Sequence, residues 1–135
     1  MISRVGWVRV FVSDMDRAVD FYENQVGVPV RARSPDFPQF VELATEGTVL
    51  ALHRPGDEWP EGKKQVGRPT GITLMTADIQ ATYRSLTSKG ERFSRPPARQ
   101  PWGGILASFF DLDGNEIDLA AWPGAKPKAP LSPPR

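Results

Sequence analysis

Apolar and polar positions alternate at the start of the chain. Val8, Val10 and Val12 interleave with Trp7, Arg9 and Phe11, the period of two that marks a strand with two unlike faces. Ser13-Asp14 then offers cap oxygens for a helix over Met15 to Gln25, in which Ala18, Phe21, Tyr22 and Gln25-Val26 recur near helical spacing. Gly27 ends it where a left-handed residue is wanted. A short strand is expected over Val30 to Arg33, with Pro35 and Pro38 interrupting the chain after it. Phe40 to Leu43 and Thr48 to His53 then read as a hairpin around Glu46-Gly47.

The pattern occurs again after a polar stretch, residues 54–70, in which Trp59 is the one large apolar group. Ile72 to Thr76 reads as a strand and Asp78 as a helix cap. Ile79, Tyr83 and Leu86 form the helix stripe, and Gly90 its stop. A short strand over Glu91 to Arg95 is followed by a loop punctuated by Pro96-Pro97 and Pro101. The closing hairpin runs over Gly104 to Phe110 and Asn115 to Trp122, with its turn at Asp113-Gly114-Asn115. A β-α-β-β-β order therefore occurs twice, over about residues 5–53 and 71–122. Neither half buries a sheet face alone, so the expectation is an α+β fold: paired modules in one curved, half-open mixed sheet with helices outside, a single domain over residues 1–122. Residues 123–135 are rich in Pro, Ala, Lys and Ser and are expected to be a disordered tail.

Composition narrows the function. A net charge of +1 gives no electrostatic case for nucleic acid or for a membrane surface. With no cysteine there is no disulfide, thiolate ligand or thiol nucleophile, and a cytoplasmic location is the default expectation. No segment approaches membrane-spanning length.

Two motifs carry a resemblance. The opening Val10-Phe11-Val12-Ser13-Asp14-Met15-Asp16-Arg17-Ala18-Val19-Asp20-Phe21-Tyr22, with Gly27 after it, is one. The closing Phe110-Asp111-Leu112-Asp113-Gly114-Asn115-Glu116-Ile117-Asp118-Leu119 is the other. Together, on a duplicated plan, they resemble the vicinal oxygen chelate superfamily, which includes glyoxalase I, bleomycin-resistance proteins and extradiol dioxygenases. The family's metal enzymes take His, Gln or Glu ligands from the first and last strands of each half. Carried over residue by residue, those positions match Trp7, Ala51, Ile72 and Asp118, of which only Asp118 has a donor. The resemblance therefore implies a cavity without a metal or other cofactor, since a divalent site needs three or more side chains.

On the family's plan the concave face is lined by Trp7, Arg9, Phe11, Val49, Ala51, His53, Ile72, Leu74, Thr76 and Asp118, with Val8, Val10, Val12, Met75 and Ile117 turned to the helices. The leading expectation is binding of a small hydrophobic or aromatic molecule, as in bleomycin-resistance-like proteins. Trp7, Arg9, Phe11, Ala51, Ile72 and Leu74 would contact it, and Trp102 would guard the mouth beside Gly103-Gly104. Trp7 and Ile72 also have a plain reading as core. The alternative function is a metal-free, glyoxalase-like lyase or isomerase that moves a proton with His53 or Asp118. A homodimer is expected as well, because family members pair and free strand edges favour association.

Overall fold

The computed structural model describes residues 1–122; the expected tail, 123–135, lies outside the described residues. The chain divides into two units. The first holds Met1–Thr70 and, from much later in the chain, Asp111–Asn115; the second holds Gly71–Phe110 and resumes at Glu116. Each carries a four-stranded mixed sheet, open rather than closed, and the architecture is α+β.

The first sheet is built from β1 (Trp7–Phe11), β2 (Val30–Ser34), β3 (Phe37–Leu43) and β4 (Val49–His53), in the order β1-β4-β3-β2. β1 runs parallel to β4, while β3 is antiparallel to both β4 and β2. Registers Val10↔Leu52, Val41↔Leu52 and Leu43↔Leu50 gather the buried aliphatic positions on one face. Each such side chain contributes about 1.5–3 kcal/mol by leaving water. Helix α1 (Met15–Asp20) packs over β3 and β4 on Met15 and Ala18. The Asp14 carboxylate caps it by accepting from the Arg17 N–H.

The predicted helix continues as a π-helical turn over Phe21–Val26, so that the Gly27 and Val28 N–H groups both reach the Tyr22 carbonyl. Gly27 caps it at φ 93°, a region where a Cβ is penalised. The adjacent rings of Phe21 and Tyr22 are both buried and meet edge to face at 5.1 Å. The predicted linker contains one helical turn, α2 (Pro60–Lys63).

The second sheet, of β5 (Pro69–Met75), β6 (Phe93–Arg99), β7 (Ile105–Phe110) and β8 (Glu116–Ala121), has the order β5-β8-β7-β6. Helix α3 (Ile79–Ser88), capped by the Asp78 carboxylate on the Ala81 N–H, packs over β6 and β8. β6 runs through Pro96-Pro97, where the sequence predicts a loop. It is an edge strand whose register with β7 slips between Arg95 and Ala98, so the missing N–H groups cost no ladder bond. Pro38 is tolerated for a related reason: it stands near the start of β3, before pairing with β4 begins at Phe40.

The turn Asp111–Asn115 is bonded throughout the first unit. The Tyr22 hydroxyl donates to Asp111 Oδ2 at 2.7 Å, and the Ser13 N–H and hydroxyl donate to the Asp113 carboxylate. The Asn115 amide donates to the Phe11 carbonyl at 2.8 Å and accepts from the Gly67 N–H at 2.7 Å. Among the described residues no helix is long and apolar enough to cross a membrane.

Candidate functional site

β1 turns Trp7, Arg9 and Phe11 away from the aliphatic core because successive strand side chains point to opposite faces. The parallel register sets these three beside Val49, Ala51 and His53 of β4. β3 adds Phe40 beside His53 and Glu42 beside Ala51. One row across three strands is therefore Phe11, His53 and Phe40; the next is Arg9, Ala51 and Glu42. Trp59, just ahead of α2, joins the first row.

The rings touch in sequence. Phe11 lies 5.6 Å from Trp59 and 5.7 Å from His53, and His53 lies 5.7 Å from both Trp59 and Phe40. Phe40 meets Trp7 edge on at 5.7 Å. Trp7 is 56% exposed and Trp59 36%, so neither fills a core. Trp59 folds back over α2: a Cβ at Gly62 would stand 2.2 Å from its ring. Ala51 has no exposed surface; its small side chain lies beneath its larger neighbours.

Arg9 Nη1 donates to His53 Nδ1 at 3.2 Å. A guanidinium has no acceptor, so Nδ1 must accept and the imidazole proton sits on Nε2. The guanidinium also lies over the rings of Phe11, at 5.1 Å, and Trp59, at 5.7 Å. Among the described residues no carboxylate is within ion-pair distance of Arg9.

Burial lowers the His53 pKa from its ordinary 6.5, the Arg9 charge lowers it further, and Glu58 acts in the opposite sense. The folded protein thus holds fewer protons than the unfolded chain at mildly acidic pH. The contribution of His53 to stability is present above pH 6.5 and is lost as pH falls from there through the lowered pKa of the folded state. As this is the chain's single histidine, its ring proton signals should titrate with a midpoint below 6.5. A midpoint above 6.5 would contradict the arrangement.

In the second unit, Asp118 is already engaged. Its Oδ1 accepts from the Ser108 hydroxyl at 2.6 Å and lies 3.6 Å from Arg95 Nη2, which itself donates to that hydroxyl at 3.0 Å. Asp118 belongs to the second unit and His53 to the first.

Ile72 and Leu74 require a correction. The sequence reading sets them on the binding face with Thr76, but the Thr76 and Thr82 hydroxyls are hydrogen-bonded at 2.8 Å and Thr82 belongs to α3. The period of two then turns Ile72 and Leu74 toward the helix side, where they are half-buried, and leaves Thr73 and Met75 exposed on the other. The two helix caps give the reason: Asp14 aligns with Asp78, which makes Gly71 and Thr73, rather than Ile72, the counterparts of Trp7 and Arg9.

Trp102 is half-buried and packs edge to face on Trp122 at 5.2 Å. Its ring covers the bare Cα of Gly104, where a Cβ would stand 2.0 Å away. Both indole N–H groups are buried without a hydrogen-bond partner among the described residues.

Phe40, Glu42 and Trp59 escape the sequence reading. Phe40 and Glu42 depend on the register of β3 with β4, and Trp59 lies in the presumed linker, although its isolation there was a signal. An open depression of about 360 Å³ is lined by Ala32, Arg33, Ser34, Phe37, Phe40 and Glu42, and so adjoins the ring cluster through Phe40. A polar one of about 390 Å³, around Ser13–Asp16 and Arg54, contains no aromatic residue. Among the described residues, no three His, Asp or Glu side chains are placed to hold a metal ion.

Comparison with known proteins gives a consistent picture. The family model "Glyoxalase/Bleomycin resistance protein/Dioxygenase superfamily" matches residues 4–119. The uncharacterized protein YetH of Bacillus subtilis (strain 168) is 30% identical over 117 residues, covering 85% of this chain and 95% of its own length. A member of the same superfamily from Sphaerobacter thermophilus superposes with a TM-score of 0.77 at 36% identity, over 89% of this chain and 98% of its own. TnmS3, an antibiotic binding protein from Streptomyces sp. CB03234, does so with a TM-score of 0.72 at 33% identity, over 90% and 98%.

Proposed function

Because this chain belongs to the glyoxalase/bleomycin resistance protein/dioxygenase superfamily, we propose that it binds a small, planar, largely apolar molecule without a divalent metal, on the first sheet's face of Trp7, Phe11, Phe40, His53 and Trp59. The observation that carries this reading is the ring cluster itself. Two tryptophans remain substantially exposed on a sheet face where a soluble domain normally presents polar side chains. The adjoining depression of about 360 Å³ is in the size range of small-molecule sites. TnmS3, a 33%-identical relative, is an antibiotic binding protein, which fits the same class of ligand.

Proton-transfer chemistry draws less support. His53 Nδ1 is occupied by Arg9, and Asp118 is held by Ser108 and Arg95.

The test is a titration of intrinsic tryptophan fluorescence with planar aromatic metabolites and antibiotics. Trp7→Ala should weaken the best binder about tenfold, since 1.4 kcal/mol is a decade in affinity, and should barely move the melting temperature of so exposed a side chain. No quenching by any compound, or unchanged binding in a folded Trp7→Ala protein, would contradict the proposal.

Two further expectations belong to this reading. Protein purified without chelators should carry well under one equivalent of zinc, nickel, manganese or iron; stoichiometric metal that disappears in His53→Ala or Asp118→Ala would oppose it. The protein is also read as a cytoplasmic homodimer, for which light scattering should give twice the chain mass.

A further inference from the structure

We propose that the ligand of the first sheet's face is an aromatic acid, whose ionised group is seated on the Arg9–His53 pair while its ring system stacks on the exposed faces of Trp7 and Trp59. This rests on reading that face as a binding surface, and it adds the charge of the ligand.

Arg9 has no anionic partner among the described residues. Its guanidinium is held by two aromatic rings and by a nitrogen acceptor, with no carboxylate in ion-pair distance among the described residues. Aromatic faces orient a cation but do not neutralise it. The N–H groups not given to His53 remain available in the planar fork that matches a carboxylate or sulfonate. His53 presents no free acceptor beside that fork, because its Nδ1 accepts from Arg9 and its Nε2 therefore carries the proton. Burial and the Arg9 charge both keep the ring neutral, so the pair carries one positive charge and presents donors alone.

The acidic groups nearby set an orientation. Glu42 lies one strand beyond Ala51, so β4 separates it from Arg9; two strand spacings make about 10 Å, roughly a Debye length in physiological salt. The Glu58 carboxylate is folded over the backbone of Gly56 and acts on His53 more weakly than burial and the Arg9 charge do. An anionic group is thus attracted at the Arg9 edge and repelled toward Glu42, which fixes which end of the ligand goes where. A cationic ligand meets the reverse pattern.

The probes are 8-anilinonaphthalene-1-sulfonate and N-phenyl-1-naphthylamine, which share a ring framework and differ by the sulfonate. At low ionic strength the parent protein should bind the anion about tenfold more tightly, and about 0.5 M salt should narrow that gap. Arg9→Met, checked for folding by its melt, should erase the preference and leave the neutral probe within about twofold of its parent affinity. Arg9→Lys should retain part of the preference, and Arg84→Met, on the exposed side of α3, all of it. If the parent binds both probes equally, or Arg9→Met keeps the preference, the inference fails while the binding reading stands. If neither probe quenches Trp7 and Trp59, both fail together.

Discussion

Replacing Asn115 by alanine is expected to lower stability by about 3 kcal/mol, or roughly 10 °C in melting temperature. The residue is 1% exposed, and its amide serves two stretches of backbone at once. Nδ2 donates to the Phe11 carbonyl and to Asp111, while Oδ1 accepts from the Gly67 N–H at 2.7 Å and the Arg68 N–H at 3.3 Å. Alanine removes all four bonds and strands at least the Phe11 carbonyl and the Gly67 N–H. A buried group left unsatisfied costs about 1–3 kcal/mol, more than a typical bond contributes when made. Leu112→Ala in the same turn is the control, because Leu112 is 54% exposed and its loss should change little. Thermal melts of the two variants check this directly. A shift below about 2 °C for Asn115→Ala would mean that the turn is not the fastening that its hydrogen bonds imply.

The second large effect is on binding and comes from a residue that no ligand need touch. A Cβ at Gly62 would stand 2.2 Å from the Trp59 ring, far inside van der Waals contact. Trp59 is a partly exposed side chain, so the ring can yield while the backbone stays. Gly62→Ala should therefore fold normally but lift the indole away from Phe11, His53 and Arg9. Losing one stacking partner is expected to cost roughly 1–1.5 kcal/mol, close to tenfold in affinity, and Trp59→Ala should cost about the same. The check is a titration of both variants with the tightest aromatic binder of the parent. If Trp59→Ala weakens binding and Gly62→Ala does not, Gly62 is not what seats the ring. If both bind as the parent does, Trp59 is not part of the surface.

Much of the architecture was legible because its signals are local. Asp14 and Asp78 cap helices from the positions their sequence context indicates, and Gly27 takes the left-handed conformation that its place after the helix demands. The faces of β1 came from alternation alone. The features that were not legible depend on partners distant in sequence. Pro96-Pro97 looks like a loop until β6 is known to be an edge strand. Phe40 joins the cluster only through the register of β3 with β4, and Trp59 through the seat that Gly62 leaves open. The reversal of Ile72 and Leu74 has another cause: a shift of one residue when the second half is laid on the first turns every side chain of a strand to its other face. The helix caps, aligned with each other, would have prevented it. Asp118 was visible as a carboxylate on the polar side of β8, but its engagement by Ser108 and Arg95 needed the pairing of β6, β7 and β8.

The central claim is that a planar ligand binds on the first sheet's face with no metal. The chain has four tryptophans, and two of them, Trp7 and Trp59, lie on that face, while Trp102 and Trp122 pack on each other in the second unit. The most direct test tracks the four indole N–H signals by proton–nitrogen correlation spectroscopy, assigned by single Trp→Phe variants, as an aromatic ligand is added in the presence of EDTA. The signals of Trp7 and Trp59 should shift and saturate together while those of Trp102 and Trp122 stay in place. Movement confined to Trp102 and Trp122, or a response that appears only after a divalent metal is restored, would contradict the account.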